Sequence, residues 1–178
     1  MRSIQLIHSL PKDSQYSQIN SPVDLLTLIG SHQGLHAILW ESDFKNPKYK
    51  NLLGQLKKNK NLEIILKAEK QLSEYFSKQR KNFDLDLALY GTEFQKTAWA
   101  ELRKIPYGQT ISYGEQAKRM GDKNKARAVG MANGQNPISI IIPCHRVIGA
   151  NGSLTGFGGG LDKKEFLLNL EKQPKIRR

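Results

Sequence analysis

In VDLLTLIGSHQGLHAILW (23–40) two apolar runs flank the polar turn Ser31–Gly34, a pattern that predicts a hairpin of two strands. From Leu62 the period lengthens. Ile65, Leu66, Leu72 and Phe76 recur near helical spacing and predict one amphipathic helix. FDLDLALY then sets Phe83, Leu85, Leu87 and Leu89 against Asp84, Asp86, Ala88 and Tyr90, a period of two that predicts a strand with one buried face. Between hairpin and helix, NPKYKNLLGQLKKNKN (46–61) reads as a lysine-rich, turn-rich stretch. Residues 1–90 are therefore expected to form a small sheet covered by a helix, and they hold no recognisable chemical motif.

Gly91 breaks the pattern and opens a second unit, 91–178. Thr92 and Gln95 have capping-box spacing, so a helix starts here with Phe94, Ala98, Leu102 and Ile105 as its stripe, ended by Pro106 and Gly108. Ser112 is the expected N-cap of a second helix, with Glu115 closing its box. After GDKN, KARAVGMANG predicts a third helix that stops at Gly134. Two short helices around a glycine-containing turn suggest a helix-turn-helix. ISIII (138–142) reads as a brief buried strand leading into Pro143-Cys144. The fold class expected from these elements is α+β.

The third helix carries small residues, Ala126, Ala128, Gly130 and Ala132, with one long cation, Arg127, among them. Such a face suits tight packing on a neighbouring helix. It equally suits close approach to a B-DNA minor groove, only about 6 Å wide.

Composition narrows the class. The 178 residues are 38% hydrophobic and 25% charged, a globular balance. No apolar run approaches the roughly 20 residues needed to span a bilayer. MRSIQLIHSL is interrupted by Gln5 and His8 and lacks a small-residue cleavage site, so no secretory signal is expected there. A single cysteine excludes an internal disulfide and a cysteine-rich zinc site, so a reducing, cytoplasmic setting (nuclear in a eukaryote) is expected, with no metal and no cofactor. The formal net charge is +12, and it is uneven: residues 1–91 carry 13 basic and 9 acidic side chains, 92–178 carry 15 and 7 and end in a basic tail. That surplus makes a polyanion partner admissible, most simply nucleic acid.

The lone thiol sits in IPCHRVIG. A cysteine attacks only as thiolate, which requires a nearby cation or base. On a regular strand His145 would point away from Cys144, but the constraint at Pro143 suggests a turn in which a water could bridge sulfur and imidazole. Glu171, near the end of KKEFLLNLEK, lies on a helix that could pack beneath them and orient the ring. Beyond the thiol, TGFGGGL holds four glycines between Gly156 and Gly160, so its backbone N–H groups can approach a flat ligand closely.

The order and spacing of GTEFQKTAW, IPYGQTISYGEQA, ARAVGMANGQNP, IIPCHRVIG and GFGGGLDKKEFLL resemble the O6-alkylguanine-DNA alkyltransferases, continuously over about residues 91–171. Residues 1–90 match only in outline, where that family carries a small ribonuclease-H-like α/β domain. A winged helix-turn-helix for the second unit is likewise what the resemblance implies. It also implies that Cys144 accepts the alkyl group, that His145 is a water-mediated base, that Glu171 orients it, and that Asn136 is a hinge to the cysteine loop. Tyr113, Val147, Phe157, Gly158 and Lys164 would form the base pocket, and Arg127, Ala126, Gly130 and Asn133 the DNA-binding helix, with Arg127 filling the gap left by the flipped base. The implied partner is double-stranded DNA containing alkylated guanine, approached from the minor groove by a monomer that could cluster along DNA; O4-alkylthymine is an expected second substrate. Several relatives have tyrosine where this chain has Phe157, so any hydroxyl contact there is lost. The amino-terminal zinc site of some relatives has no support in a cysteine-free 1–90.

Three other readings remain open on the sequence: a lesion sensor without chemistry, a cysteine hydrolase, and a winged-helix regulator. The intact PCHR speaks against the first, stoichiometric product would exclude the second, and the third leaves the cysteine loop unexplained.

Overall fold

The apolar hairpin forms one side of a four-stranded sheet in the computed structural model, which describes residues 9–172. The start of the chain (1–8) and the basic tail (173–178) lie outside the described residues. Strands β1 (Gln15–Ser21), β2 (Asp24–Ser31) and β3 (Gly34–Trp40) are antiparallel neighbours, and β4 (Lys57–Lys58) joins β1 in parallel, giving the order β3-β2-β1-β4. The predicted turn is correct, with Ser31 paired to Gly34. β1 went unread because QYSQINS is mostly polar and only Ser17 and Ile19 in it are buried.

Almost every residue of β2 and β3 is buried, because both faces of the sheet are covered, not one. Ile29, Ala37 and Leu39 pack on Tyr49 and Leu52 of helix α1 (Pro47–Gln55). Leu26, Leu28, Ile38 and Trp40 face the main core with Ile65, Ala68, Leu72 and Tyr75 of helix α2 (Glu63–Phe76). α1 occupies the stretch read as turns. Its start was legible, since Asn46 accepts from Lys48 N at 3.1 Å and Pro47 fills the first turn, but two buried apolar residues make too short a stripe to detect. In α2 the periodicity holds, except that Leu66 is 49% exposed.

The FDLDLALY alternation is extended chain rather than a ladder strand. It runs along the outer edge of β3 with Leu35 N donating to Asp86 O (2.8 Å) and Ala88 N to Leu35 O (2.9 Å), and only Leu87 forms a bridge. The side chain of Gln71 holds Asp84 by both backbone groups, which diverts the rest from the sheet. Further along the same edge Ile38 N donates to Pro137 O at 2.9 Å, so the second unit completes the covering of β3.

Helix α3 (Glu93–Arg103) begins with the predicted capping box: Gln95 N donates to Thr92 Oγ1 (3.3 Å) and Thr92 N to Gln95 Oε1 (2.9 Å). Helices α4 (Tyr113–Arg119) and α5 (Ala126–Gly134) follow as the helix-turn-helix. Ser112 caps α4 as expected, but the Glu115 carboxylate takes Arg119 at 3.1 Å instead of returning to the cap. Trp99 Nε1 donates to Ala132 O at 2.9 Å, locking α3 to α5. Residues 138–142 are buried yet form a bent loop and not a strand: Ile140 sits at φ +78°, where β-branched residues are outliers, and Ile142 N returns to Ile138 O. Helix α6 (Leu161–Glu171) closes the described chain.

Gly34 tests the seam between β3 and the extended segment. It has φ +131°, and a Cβ there would lie 2.5 Å from Asp86 O. Gly34→Ala should destabilise by about 2–4 kcal/mol, combining a left-handed backbone with overpacking. Gly54→Ala in α1, where a Cβ meets nothing within 4 Å, should be neutral or stabilising by up to about 1 kcal/mol. Urea unfolding of both variants checks the contrast; equal effects would mean that the seam bears no strain.

Candidate active site and nucleic-acid interface

Asn136 shapes the loop that presents the thiol. Its Nδ2 donates to Ile142 O (2.8 Å) and its Oδ1 accepts from Ile138 N (3.0 Å), clamping both ends of the bend before Pro143. Cys144–Arg146 then form one 3-10 turn, so the three side chains diverge rather than alternate as on a strand. All three are buried, Cys144 at 7% exposure. Strand β6 (Val147–Ile148) leaves this turn and pairs in parallel with β5 (Ile111–Ser112). That register sets Tyr113, the first residue of α4, level with Gly149, within electrostatic reach of Cys144.

Beneath the turn Glu171, 1% exposed, collects donors from three parts of the chain. Oε1 accepts from Tyr75 Oη (2.7 Å), His145 Nε2 (2.8 Å) and an Arg146 terminal nitrogen (2.9 Å). Oε2 accepts from Arg146 Nε (2.9 Å) and Gly108 N (3.0 Å). The other terminal nitrogen of Arg146 donates to Ile105 O at 2.6 Å. Burial by itself would raise the Glu171 carboxyl, but the hydrogen bonds and charges of His145 and Arg146 outweigh it and hold the carboxyl well below the usual carboxylate range. An ionised carboxylate only accepts, so His145 carries its proton on Nε2. Nδ1 is left with its lone pair, buried and without a hydrogen-bond partner among the described residues. Burial lowers the His145 pKa, the Glu171 contact opposes this, and the cations of Arg146 and Lys164 act with burial. The imidazole is therefore neutral at neutral pH.

Lys164 is fully buried and donates to Val147 O and Thr155 O, both at 2.7 Å. Burial pushes its ammonium down to about 8, with the charge of Cys144 acting in the opposite direction. The Tyr113 hydroxyl donates to the same Thr155 carbonyl (3.1 Å), and its ring lies 5.9 Å from the Lys164 ammonium. Burial raises the Tyr113 phenol, the Thr155 contact lowers it and the charge of Cys144 raises it further. Tyr113, Cys144, Val147 and Lys164 thus share one neighbourhood.

The glycine loop forms its far wall. Phe157 meets Trp40 of β3 edge-on at 5.6 Å, and a Cβ on Gly159 would strike that indole at 2.8 Å. Gly158 is exposed and faces Gly134 across a crevice shared with Ser42 and Lys45.

The exposed side of α5 carries Arg127, Ala128, Met131 and Gly134, and Met131 is 66% exposed. Ala126 and Gly130 are half-buried, and Gly130 lies against the Tyr113 ring. Asn133 points the other way. It is buried and exchanges hydrogen bonds with Gln116 (2.7 and 3.2 Å), so its side chain is a strut between α4 and α5 and not a groove contact. The sequence reading overlooked Arg146, Tyr75, Trp40 and Met131. Arg146 was legible as the cation in PCHR; Tyr75 and Trp40 carried no signal, because they come from the other unit.

Residues 15–89 match the family model described as the ribonuclease-like domain of 6-O-methylguanine DNA methyltransferase, and residues 93–173 match its DNA-binding domain. The chain is 47% identical over 163 residues to the methylated-DNA–protein-cysteine methyltransferase of Methanosarcina acetivorans, covering 88% of this chain and 97% of that protein. Its structure is similar to the crystal structure of the O6-methylguanine methyltransferase of Mycobacterium tuberculosis, with a TM-score of 0.80 and 43% identity over 91% of this chain and 96% of the other. A structure of the M. tuberculosis protein in complex with DNA gives a TM-score of 0.77 at 43% identity, over 89% and 92%. With both units matched and nearly half of all aligned residues identical, the chain belongs to the methylated-DNA–protein-cysteine methyltransferase family.

Proposed function

We propose that the protein repairs DNA by moving the alkyl group of O6-alkylguanine, and by the same chemistry O4-alkylthymine, irreversibly onto Cys144. The observation that carries this reading is the buried thiol beside a neutral histidine whose Nε2–H is fixed on Glu171. The unbonded Nδ1 is the nitrogen available to take the thiol proton, directly or through one water. The Cys144 sulfur then attacks the alkyl carbon. A C–S bond forms as the C–O bond breaks, the electron pair stays on the base, and the base takes up a proton. Lys164, a cation within electrostatic reach of the sulfur, favours negative charge there, and the Tyr113 hydroxyl offers a polar group to a bound base. The product is a thioether with no hydrolytic exit, so each chain acts once.

The alkylated oxygen is inside a duplex, so the nucleotide must be extruded into the pocket between Tyr113 and the Phe157–Gly159 loop. The exposed small-residue side of α5 suits the minor groove, with Arg127 entering the stack in place of the base. In this reading 91–178 carries the chemistry, 1–90 supports it, and a monomer suffices.

Three outcomes test the proposal. Incubation with a methyl-labelled oligonucleotide should add one methyl group to Cys144 alone, and Cys144→Ser should bind the lesion without transfer, because a hydroxyl is far less acidic than a thiol. Transfer by the serine variant at near wild-type rate would exclude Cys144 as acceptor.

Arg127→Ala should slow repair of duplex more than of single-stranded substrate or free benzylguanine, since only the duplex needs a gap filled. Equal slowing on all three would make Arg127 structural.

His145→Ala should slow single-turnover transfer by about 10²–10⁴-fold, the scale of general-base assistance. Because burial depresses the His145 pKa, the wild-type rate should hold as pH falls past about 6.5, the ordinary imidazole value, and decline only below it. Glu171→Gln is a poorer probe of the base. It leaves the Arg146 guanidinium buried without a counter-charge and should cost about 3–5 kcal/mol of stability as well. A wild-type rate declining already above pH 7 is incompatible with a neutral His145 as the base.

A further inference from the structure

We infer that Tyr75 of the amino-terminal unit is a positioning residue of the transfer reaction, acting through Glu171 on His145. Its hydroxyl donates to Glu171 Oε1 at 2.7 Å, the same oxygen that holds His145 Nε2 at 2.8 Å. Both contacts are buried, Tyr75 at 0% and Glu171 at 1% exposure, so neither is weakened by solvent. The ring is fixed independently of that bond: Phe76, Phe83 and Tyr107 surround it at centroid distances of 5.5, 5.4 and 6.1 Å. The hydroxyl is therefore aimed by packing and acts on an oxygen whose electron density decides how strongly His145 is held.

The direction of the effect follows from sharing. A lone pair committed to Tyr75 is withdrawn from His145, so Tyr75 limits how far the carboxylate raises the affinity of the imidazole for a second proton. Arg146 acts in the same sense as a charge, at 2.9 Å from both carboxylate oxygens, and Gly108 N as a dipole. The groups that bear on His145 are Glu171 and Lys164 from α6, Arg146 from its own turn, where Cys144 is its chain neighbour, and, through Glu171, the Tyr75 hydroxyl from α2 and the Gly108 amide from the loop after α3. Tyr75 itself does not titrate in the working range: burial, then the charge of Glu171, drive its phenol far above the ordinary value. It is a constant donor, not a switch.

The inference rests on the alkyl-transfer reading, and its test separates the two. Single-turnover transfer to a methylguanine oligonucleotide is followed from pH 5 to pH 9 for the full-length wild type, Tyr75→Phe and Tyr107→Phe. Tyr107 is the control, since its hydroxyl also leaves the aromatic cluster but donates to Leu170 O at 3.2 Å and not to the carboxylate. Phe at 75 keeps the ring and its packing, and the end-point alkylation of Cys144 counts folded molecules, so rates refer to folded protein alone. Tyr75→Phe should move the acid limb of the rate upward by about half to one pH unit, while Tyr107→Phe leaves it in place. A direct titration of the His145 ring by NMR should show the same upward shift. An unchanged or lowered limb in folded Tyr75→Phe, or equal shifts in the two variants, overturns the positioning role. Absence of transfer by the wild type itself overturns instead the alkyl-transfer reading.

Discussion

A carboxylate withdrawn from water must find other donors for its lone pairs or give up its charge. Glu171 retains the charge because Tyr75, Gly108, His145 and Arg146 converge on it from a helix of the first unit, the loop after α3 and the cysteine turn. The geometry around Cys144 and His145 depends on this convergence. It sets the proton on His145 Nε2, frees Nδ1, and anchors the turn that presents Cys144. It also makes the end of α6 indispensable, since removal of the carboxylate would strand a buried guanidinium as well as release the imidazole.

The same constraint explains why the first unit contributes more than bulk. Its sheet would expose β3 as an open edge, and the chain covers that edge twice, with the 83–90 segment at Leu35 and with Pro137 at Ile38. The second contact is the beginning of the cysteine loop, so satisfying the backbone of β3 also fixes where the thiol sits. At the end of β3, Trp40 occupies the space beside Gly159 and the Phe157 ring, which places the glycine loop opposite the pocket. Glu171 and the glycine loop are each held from one side by the amino-terminal unit.

Buried charge and exposed charge serve different purposes here. Arg146 and Lys164 are both buried, and their hydrogen bonds go to a carboxylate or to carbonyls within the site. Arg127 is exposed on α5 beside Ala128, Met131 and Gly134, where side chains are too small or too flexible to block close approach by a partner. The net charge of +12 is a property of the whole chain, while the cations around Cys144 and His145 are ones that solvent does not reach.

Much of the molecule was legible from local rules. The Ser31–Gly34 hairpin, the α2 periodicity, the Thr92–Gln95 box and the Ser112 cap each follow from short-range sterics and hydrogen bonding, so a short window of sequence suffices to find them. The neighbourhood of Cys144, His145, Asn136 and Glu171 was legible through the order of motifs. What the sequence could not determine lies where distant segments compete for the same groups. The FDLDLALY alternation did not become a ladder strand because the Gln71 side chain holds the Asp84 backbone, and ISIII did not become a strand because Asn136 holds both ends of a bend. β1 and α1 bury too few apolar residues to declare themselves, yet they complete the sheet and its second face. Asn133 was legible as a residue of the helix but not as one facing inward, because only the neighbouring Gln116 decides that. Tyr75 and Trp40 follow the same logic: short-range chemistry is written along the chain, whereas donors to a buried carboxylate and a wall for a loop exist only once the two units have packed together.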